Sequence, residues 1–270
     1  MQFVSLALGF MFARPNWGIM WPTFLWAMLG TAMVSGGAAA LNHYLEWPLD
    51  AMMERTKNRP IPTGRIRPWV AFLFAALLVA LGLEILWVKV NVLTTILGFL
   101  TTALYVLVYT PLKQLTWWNT YMGALPGAIP PLGGWAAATG SLALPAFILG
   151  GILAIWQIPH FFAIAWMYQE DYAKAGFQML PKFDPDGRRT VRQMVVSIFA
   201  LIACSLLPVS LGLLSWVYGA LATLLGAYFA NTIWVFAKDR SKANAKKVLR
   251  ASVIYLPLLL LAMAVDYALS

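Results

Sequence analysis

Residues 42–50 read NHYLEWPLD, and residues 53–60 continue the stretch as MERTKNRP. Three carboxylates and three cations fall within residues 42–59 of a chain that is 61% hydrophobic. Asn42, Glu46 and Asp50 are spaced by four residues, so on an α-helix their side chains share one face with about 40° of drift per step. Such a face of oxygen ligands suits a hard cation such as Mg²⁺, whose coordination shell is usually completed by water and substrate phosphates. The alternative is a solvated loop with ordinary helix-end charges.

The composition of the whole chain indicates a membrane protein. Only 11% of its 270 residues are charged, against about 25% in soluble domains. We therefore predict an all-α integral membrane protein with one domain over residues 1–270. Runs long enough to cross roughly 30 Å of hydrocarbon cover residues 19–41, 69–88, 91–110, 119–139, 144–167, 193–214, 216–237 and 251–268. The one cysteine, Cys204, excludes an intrachain disulfide and a thiolate metal cluster.

The first thirteen residues are apolar but short, and no basic region precedes them as in a signal peptide. Counting them as a truncated first helix places 17 of the 19 Lys and Arg residues in loops on one side, with only Arg14 and Lys89 on the other. The positive-inside rule assigns the cation-rich side to the cytoplasm. This predicts about nine helices in the cell (inner or plasma) membrane, with the N-terminus inside. The net charge of +9 then faces anionic lipid or an anionic substrate, and nucleic acid is not implied.

Two long loops, about 42–68 and 168–192, lie on this predicted cytoplasmic side. They contain seven of the ten acidic residues, namely Glu46, Asp50, Glu54, Glu170, Asp171, Asp184 and Asp186. We expect the functional site where the two loops meet, at a central cavity open to the cytoplasmic side. The Pro- and Gly-rich residues 123–134 are expected to break or kink the fifth span, either as a cavity wall or for close packing.

The sixth span ends in WQIPHFF (156–162) and leads into YQEDYAKAGFQMLP (168–181). An ionisable residue inside a membrane span is costly, so His160 is a functional candidate, with a satisfied packing histidine as the alternative. Glu170 and Asp171 are expected to close the same helix, with Lys174 one turn on. They form either a second oxygen cluster that faces the first or a pair of ordinary helix-end acids.

These segments carry a resemblance to a known family. The chain resembles the UbiA superfamily of intramembrane prenyltransferases, and within it the haem O synthase branch. The superfamily signature Asn-x-x-x-Asp-x-x-x-Asp appears as Asn42, Glu46 and Asp50, with Glu in the middle position, as is often so in this branch. Further similar segments are MERTKNRPIPT (53–63), YTPLK (109–113), GALPGAIPPLGGWAAATG (123–140), WQIPHF (156–161) and DYAKAGFQMLP (171–181).

The sequence departs from the family pattern in two places. Trp47 and Pro48 stand where relatives usually carry an Arg and an acid. Because proline lacks a backbone donor and disfavours helix at the residue before it, we expect the helix to end near Glu46, with Asp50 reaching the metal from a loop. The superfamily's second Asp-x-x-x-Asp is reduced to Asp171, with Ala175 at the other position, as expected for this branch.

The resemblance implies transfer of a farnesyl group from farnesyl diphosphate to a vinyl group of haem b, giving haem O and diphosphate. It implies Mg²⁺ bound by Asn42, Glu46, Asp50 and Asp171, with His160 also catalytic. The implied diphosphate-binding residues are Arg55, Lys57, Arg59 and Lys174, and the implied haem-binding residues are Trp156, Gln157, His160, Arg188 and Arg189. A downstream haem-modifying enzyme or the assembly of a terminal oxidase is an implied partner.

Three other functions are compatible with parts of the sequence. A prenyltransferase of the same superfamily could act on a quinone precursor or another aromatic acceptor, although WQIPHF and AGFQMLP argue against it. A transporter would need acids near the bilayer midplane, and the one mid-span acid, Glu84, lies near a span end. A non-catalytic membrane assembly factor would retain the fold, and Pro48 raises this alternative.

Overall fold

The computed structural model describes residues 2–269, and this range consists of helices joined by turns, with no strand. The all-α prediction is therefore confirmed. The helices are α1 (Gln2–Phe12), α2 (Trp17–Asp50), α3 (Pro68–Lys89), α4 (Val92–Ala103), α5 (Thr110–Leu115), α6 (Asn119–Thr139), α7 (Leu144–Met167), α8 (Gln169–Lys174), α9 (Arg188–Ser210), α10 (Trp216–Lys238) and α11 (Lys242–Leu269). A π-helical segment, Leu104–Tyr109, joins α4 to α5, and a 3₁₀ turn covers Leu180–Phe183.

Each of the nine predicted spans corresponds to a helix within residues 2–269. Seven helical segments in that range are long and apolar enough to cross a membrane, with α4, the π-helical segment and α5 forming one of them. The other two are α1, which has 11 residues, and α6, whose three prolines and four glycines lower its hydropathy. Seven spans are thus supported by length and hydropathy, and a nine-helix crossing remains a prediction.

Helix α2 does not end where the sequence predicted. It continues through Pro48 to Asp50, so the prediction that it ends near Glu46 was wrong, and residues 42–50 are helix and not loop. Pro48 cannot donate a backbone hydrogen bond. Because it lies in the last turn of α2, the helix continues for only two residues beyond it. The Ala51 N–H still donates to the Trp47 carbonyl at 3.1 Å. Asp50 therefore stays on the same helical face as Asn42 and Glu46.

One further local prediction was wrong. Glu170 and Asp171 do not close the sixth span, because α7 ends at Met167 and both acids belong to the separate short helix α8. Of the predicted break or kink in the fifth span, the break is absent, since α6 is continuous through Pro126, Pro130 and Pro131, and the kink stays a prediction. Neighbouring helices supply the packing that a proline-containing helix needs in a membrane.

Close packing through glycine brings α1 against α6. A Cβ added at Gly134 would lie 1.9 Å from the Leu6 carbonyl oxygen, and one added at Gly9 would lie 2.0 Å from the Pro131 carbonyl oxygen. Only glycine allows backbones to approach this closely. The largest apolar core lies mainly among α7, α9, α10 and α11, where Tyr218 and Tyr255 are fully buried.

The two long loops meet at one end of the bundle, which we call the motif end. Arg55 of the first loop donates to the Tyr172 hydroxyl of α8 at 3.3 Å, and Lys242 pairs with Glu170 at 2.7 Å. The prediction that the acidic loops meet is confirmed. Further long-range hydrogen bonds at this end join Glu46 to Lys113, Asn119 to the Gln178 carbonyl and Trp166 to the Arg240 carbonyl.

Candidate active site

Asn42, Glu46 and Asp50 form one buried face of α2 at the motif end. Their side chains are only 5%, 4% and 1% exposed. Spacing by four residues places them in line along the helix. The alternative of a solvated loop is therefore excluded for these three residues, and each of them must be satisfied by a partner from elsewhere in the fold.

Glu46 is held by Lys113, a residue to which the sequence analysis gave no role. The Lys113 ammonium donates to both Glu46 carboxylate oxygens, at 2.7 and 3.0 Å. It also lies 4.5 Å from the centroid of the Tyr109 ring. Both charged groups are buried, so the pair depends on close geometry to offset the cost of desolvation. Lys113 therefore places a cation directly on the acidic face of α2.

Asp50 is bound on one oxygen and unpartnered on the other. Arg59 donates to Oδ2 at 2.6 Å, while Oδ1 is buried with no hydrogen-bond partner in the described structure. The loop that returns Arg59 is closed by Thr56, whose hydroxyl donates to the Asp50 carbonyl at 2.9 Å. A buried carboxylate oxygen without a donor costs free energy unless a cation is bound. This oxygen, with Asn42 and Glu46 on the same face, fits a hard divalent cation.

Asn42 ties this face to the π-helical segment. Its Nδ2 donates to the Thr110 hydroxyl at 3.0 Å, and that hydroxyl donates to the Tyr105 carbonyl at 2.8 Å. Pro111 lacks an amide proton, which leaves a helical carbonyl to be satisfied otherwise. Such π-helical turns occur frequently at functional sites. Here the turn stacks the Tyr105 and Tyr109 rings at 5.6 Å between centroids.

A cavity of about 320 Å³ lies inside the bundle, a size within the usual range of small-molecule sites. Ser35, Ala38 and Ala39 of α2 line it one or two turns below Asn42. The other lining residues come from α1, α4, the π-helical segment, α6 and α7, and they are Gln2, Thr101, Tyr105, Tyr109, Gly123, Pro126, Gly127, Gln157 and Phe161. The Gly123–Gly134 stretch therefore serves both of the predicted purposes, since its first half lines this cavity and Gly134 packs against α1.

The second loop packs against Arg55 of the first loop. The Arg55 guanidinium lies 5.4 Å from the centroid of the Tyr168 ring and 5.7 Å from that of Tyr172. Met53 of the first loop packs in a small buried cluster with Ala175 and Phe177 of the second loop. The Tyr172 hydroxyl accepts from Arg55, because a guanidinium can only donate. Burial raises the pKa of Tyr172, so the hydroxyl keeps its own proton to donate.

The other predicted cations of the two loops, Lys57 and Lys174, are exposed. Lys57 pairs with Glu54 at 2.5 Å, and Lys174 is exposed on α8. Asp171 is half-buried on α8. Across residues 2–269 no three His, Cys, Asp or Glu side chains come together as a metal-binding group. The structure therefore assembles Asn42, Glu46 and Asp50 but does not add Asp171 as a third acid, and its role remains a prediction.

The predicted haem-binding residues of α7 divide between two faces. Gln157 lines the cavity and donates to the Ala124 carbonyl at 3.2 Å. Trp156 and His160 lie on the adjacent face, where both bind Ser252 of α11. The WQIPHF segment of α7 thus has one face on the cavity and another on the α7–α11 contact.

Arg188 and Arg189 lie at the exposed start of α9 and do not line the cavity. Arg188 pairs with Asp186 at 3.1 Å. The buried residue of this turn is Asp184, which accepts from the Arg189 and Thr190 backbone N–H groups and from the Thr190 hydroxyl at 3.1, 2.7 and 2.8 Å. Asp184 therefore caps α9 from outside the helix, because Gly187 at the N-cap position has no side chain.

Substituting Asp184 with alanine is expected to destabilise the protein by about 1–3 kcal/mol, since it leaves the buried Thr190 donors unpaired. Thermal unfolding of the purified protein in detergent measures this loss. Asp186→Ala is the matched control, because Asp186 is exposed in the same turn, and it should leave the unfolding temperature nearly unchanged. Equal melting of the two variants would contradict the capping role of Asp184.

Comparison with known proteins decides the family. Residues 3–262 match the UbiA prenyltransferase family, which is nearly the whole chain. The chain belongs to the UbiA prenyltransferase family. UbiA membership and the seven long apolar helices together make it a multi-pass membrane protein. The predicted family is thus confirmed, and so is the prediction that this chain is an enzyme of a prenyltransferase family.

Curated UbiA-family relatives cover most of the chain. The Protoheme IX farnesyltransferase of Salinibacter ruber is 46% identical over 266 residues, covering 98% of this chain and 94% of the relative. The mitochondrial Protoheme IX farnesyltransferase of Homo sapiens is 41% identical over 244 residues, covering 90% of this chain and 54% of the relative. The resemblance to this branch is thus found across bacteria and mitochondria.

Solved structures confirm the UbiA fold. A structure of digeranylgeranylglyceryl phosphate synthase superposes with a TM-score of 0.83 at 19% identity, covering 100% of this chain and 94% of the other. A UbiA homologue of Archaeoglobus fulgidus bound to DMAPP and Mg²⁺ superposes with a TM-score of 0.70 at 16% identity, covering 99% of this chain and 95% of the other. At these identities the likeness concerns the fold.

Proposed function

We propose that this chain transfers the farnesyl group of farnesyl diphosphate to a vinyl group of haem b, which yields haem O and diphosphate. The names of the relatives at 46% and 41% identity support the reaction. The observation that carries it is the buried face of Asn42, Glu46 and Asp50, which adjoins a cavity inside the bundle. This arrangement pairs a polar site for diphosphate with a chamber for a hydrocarbon chain.

The residues of the acidic face fit Mg²⁺, as the unpartnered Asp50 Oδ1 indicates. We assign Asn42, Glu46 and Asp50 as its ligands, with Asp171 as a further ligand from the second loop. When bound, Mg²⁺ neutralises the negative charge that develops on the departing diphosphate. The solved UbiA homologue bound to DMAPP and Mg²⁺ supports this assignment at the level of the fold.

The cations at the motif end supply the rest of the charge compensation. Arg55 and Arg59 already lie at the site through Tyr172 and Asp50, and Lys113 lies on Glu46. Held on Glu46 in this way, the Lys113 ammonium would be placed to donate to a phosphate oxygen of the diphosphate. Lys57 and Lys174 approach from the exposed rim, and the Tyr172 hydroxyl can donate a further hydrogen bond.

The cavity below the acidic face suits the farnesyl chain and its allylic cation. The stacked rings of Tyr105 and Tyr109 line it next to the acidic face. Aromatic faces attract positive charge, and exclusion of water by the bound farnesyl chain would delay capture of the cation. As the bond to diphosphate breaks, the vinyl π electrons form the new carbon–carbon bond. Water then adds to the resulting carbocation and loses a proton, leaving the hydroxyl of haem O.

For the acceptor we assign Trp156, Gln157 and His160 of α7 to the haem, with Arg188 and Arg189 as candidates for its propionates. Gln157 lines the chamber directly, and His160 lies on the neighbouring face of the same turn. We place the motif end and the N-terminus on the cytoplasmic side of the cell membrane, following the distribution of Lys and Arg. A downstream haem-modifying enzyme or an assembling terminal oxidase would receive the product.

Incubation of the purified protein with haem b, farnesyl diphosphate and Mg²⁺ tests the proposal, with mass spectrometry of the extracted haem. We expect an adduct equal to haem plus farnesyl plus water, which disappears when the metal is chelated. Absence of this adduct, together with turnover of a quinone precursor, would replace haem with another aromatic acceptor. Absence of any prenylated product would indicate an assembly factor that retains the fold.

A further inference from the structure

Ser252 of α11 binds the two aromatic residues of α7 that do not face the cavity. Its hydroxyl lies 2.8 Å from Nδ1 of His160, and its carbonyl accepts from Nε1 of Trp156 at 2.8 Å. The Trp156 and His160 rings stack at 4.9 Å between centroids and 26° between planes. Ser252 is fully buried. The imidazole ring is thus held on one side by a stacked ring and on its edge by a hydroxyl.

The hydrogen bonds of Ser252 indicate which nitrogen of His160 carries the proton. The Ser252 hydroxyl donates to the Leu249 carbonyl at 2.7 Å, and a carbonyl oxygen can only accept. A serine hydroxyl has one proton, so it cannot also donate to Nδ1. It therefore accepts from Nδ1, and Nδ1 carries the proton.

The neutral ring then has its lone pair on Nε2. A cationic imidazole inside a membrane span would be costly, and within residues 2–269 no carboxylate forms an ion pair with His160. A histidine that donates from Nδ1 to a fixed acceptor and presents a free Nε2 has the usual form of a metal ligand. His160 thus differs from a packing histidine, in which both ring nitrogens have hydrogen-bond partners.

We propose that Ser252 is a positioning residue that holds His160 as the Nδ1–H tautomer, so that Nε2 binds the iron of the acceptor haem. This inference rests on the proposed function, because it takes an iron porphyrin as the substrate. His160 adjoins the chamber through Phe161, whose ring lies 5.6 Å from the imidazole and lines the cavity.

The test is titration of the purified full chain with ferric haem b, followed by optical absorption and electron paramagnetic resonance, without farnesyl diphosphate. Wild-type protein is expected to show an imidazole-ligated iron spectrum. His160→Gly should lose this spectrum and regain it when free imidazole is added. Ser252→Ala should weaken haem affinity about tenfold, the lower range for loss of a partner that orients a metal ligand, and Ser252→Thr should restore it.

Ser205→Ala is the matched control, because Ser205 is equally buried and bonds the Tyr255 hydroxyl, away from His160. It should leave the haem spectrum and affinity unchanged. All of the variants should bind farnesyl diphosphate as the wild-type protein does. An unchanged spectrum and affinity in Ser252→Ala would overturn the inference. So would a wild-type spectrum without imidazole ligation in protein that still makes farnesylated haem, and the proposed function would then stand. No haem binding and no farnesylated product would refute both.

Discussion

Asp50→Asn is expected to lower the rate of farnesyl transfer by about 10²–10³-fold, the usual effect of removing one group that stabilises developing charge. The amide keeps the size of the side chain, so α2 retains its shape. It removes the buried, unpartnered Oδ1 charge that we assign to the metal and leaves the Arg59 guanidinium without its anion. The rate is measured as farnesylated haem by mass spectrometry and as released diphosphate.

The control for this variant is Glu54→Gln in the same loop. Glu54 is exposed and pairs only with Lys57 at the rim, so its loss should leave the rate nearly unchanged. Haem binding should be unaffected in both variants, because neither residue lies on α7. Full activity of Asp50→Asn at limiting Mg²⁺ would remove Asp50 from the metal site.

Lys113→Met is expected to damage both stability and activity. It leaves Glu46 buried and unpaired, and breaking a buried ion pair from one side typically costs about 3–5 kcal/mol. It also removes the cation that we assign to the departing diphosphate. Thermal unfolding in detergent and the rate of farnesyl transfer measure the two effects separately.

The double variant Lys113→Met with Glu46→Gln separates folding from catalysis. With both charges removed, no uncompensated ion remains in the interior, so most of the lost stability should return. The transfer rate should stay low, because the site then lacks a ligand and a cation. Lys242→Met is the matched control, since its pair with Glu170 is exposed at the same end of the bundle. Restored activity in the double variant would show that Lys113 acts only by stabilising the fold.

Residues close in sequence were predicted well because helix periodicity alone relates them. The spacing of Asn42, Glu46 and Asp50 defined a single face, and the structure buries all three on it. The apolar runs also located the helices. The end of α2 was misjudged, since the local preference of Pro48 was outweighed by the remaining bonds of that last turn.

The partners of these residues were missed because they lie far away in sequence. Lys113 is 67 residues from Glu46, and Ser252 is 92 residues from His160. The sequence did offer a signal for Lys113, as the one cation in the loop after the fourth span, but nothing pointed to the acid it binds. Ser252 carried no signal, since buried serines are common in packed membrane helices.

The sequence by itself determined an all-α membrane protein of the UbiA type, with seven of its ten acids in two loops, because hydropathy and charge act locally along the chain. Tertiary structure alone decided that Lys113 covers Glu46, that Asp50 keeps one oxygen unpartnered, and that Trp156 and Gln157 face different surroundings. A buried polar atom must find its partner wherever the packed helices bring one. That choice depends on how the helices pack, which no local pattern encodes.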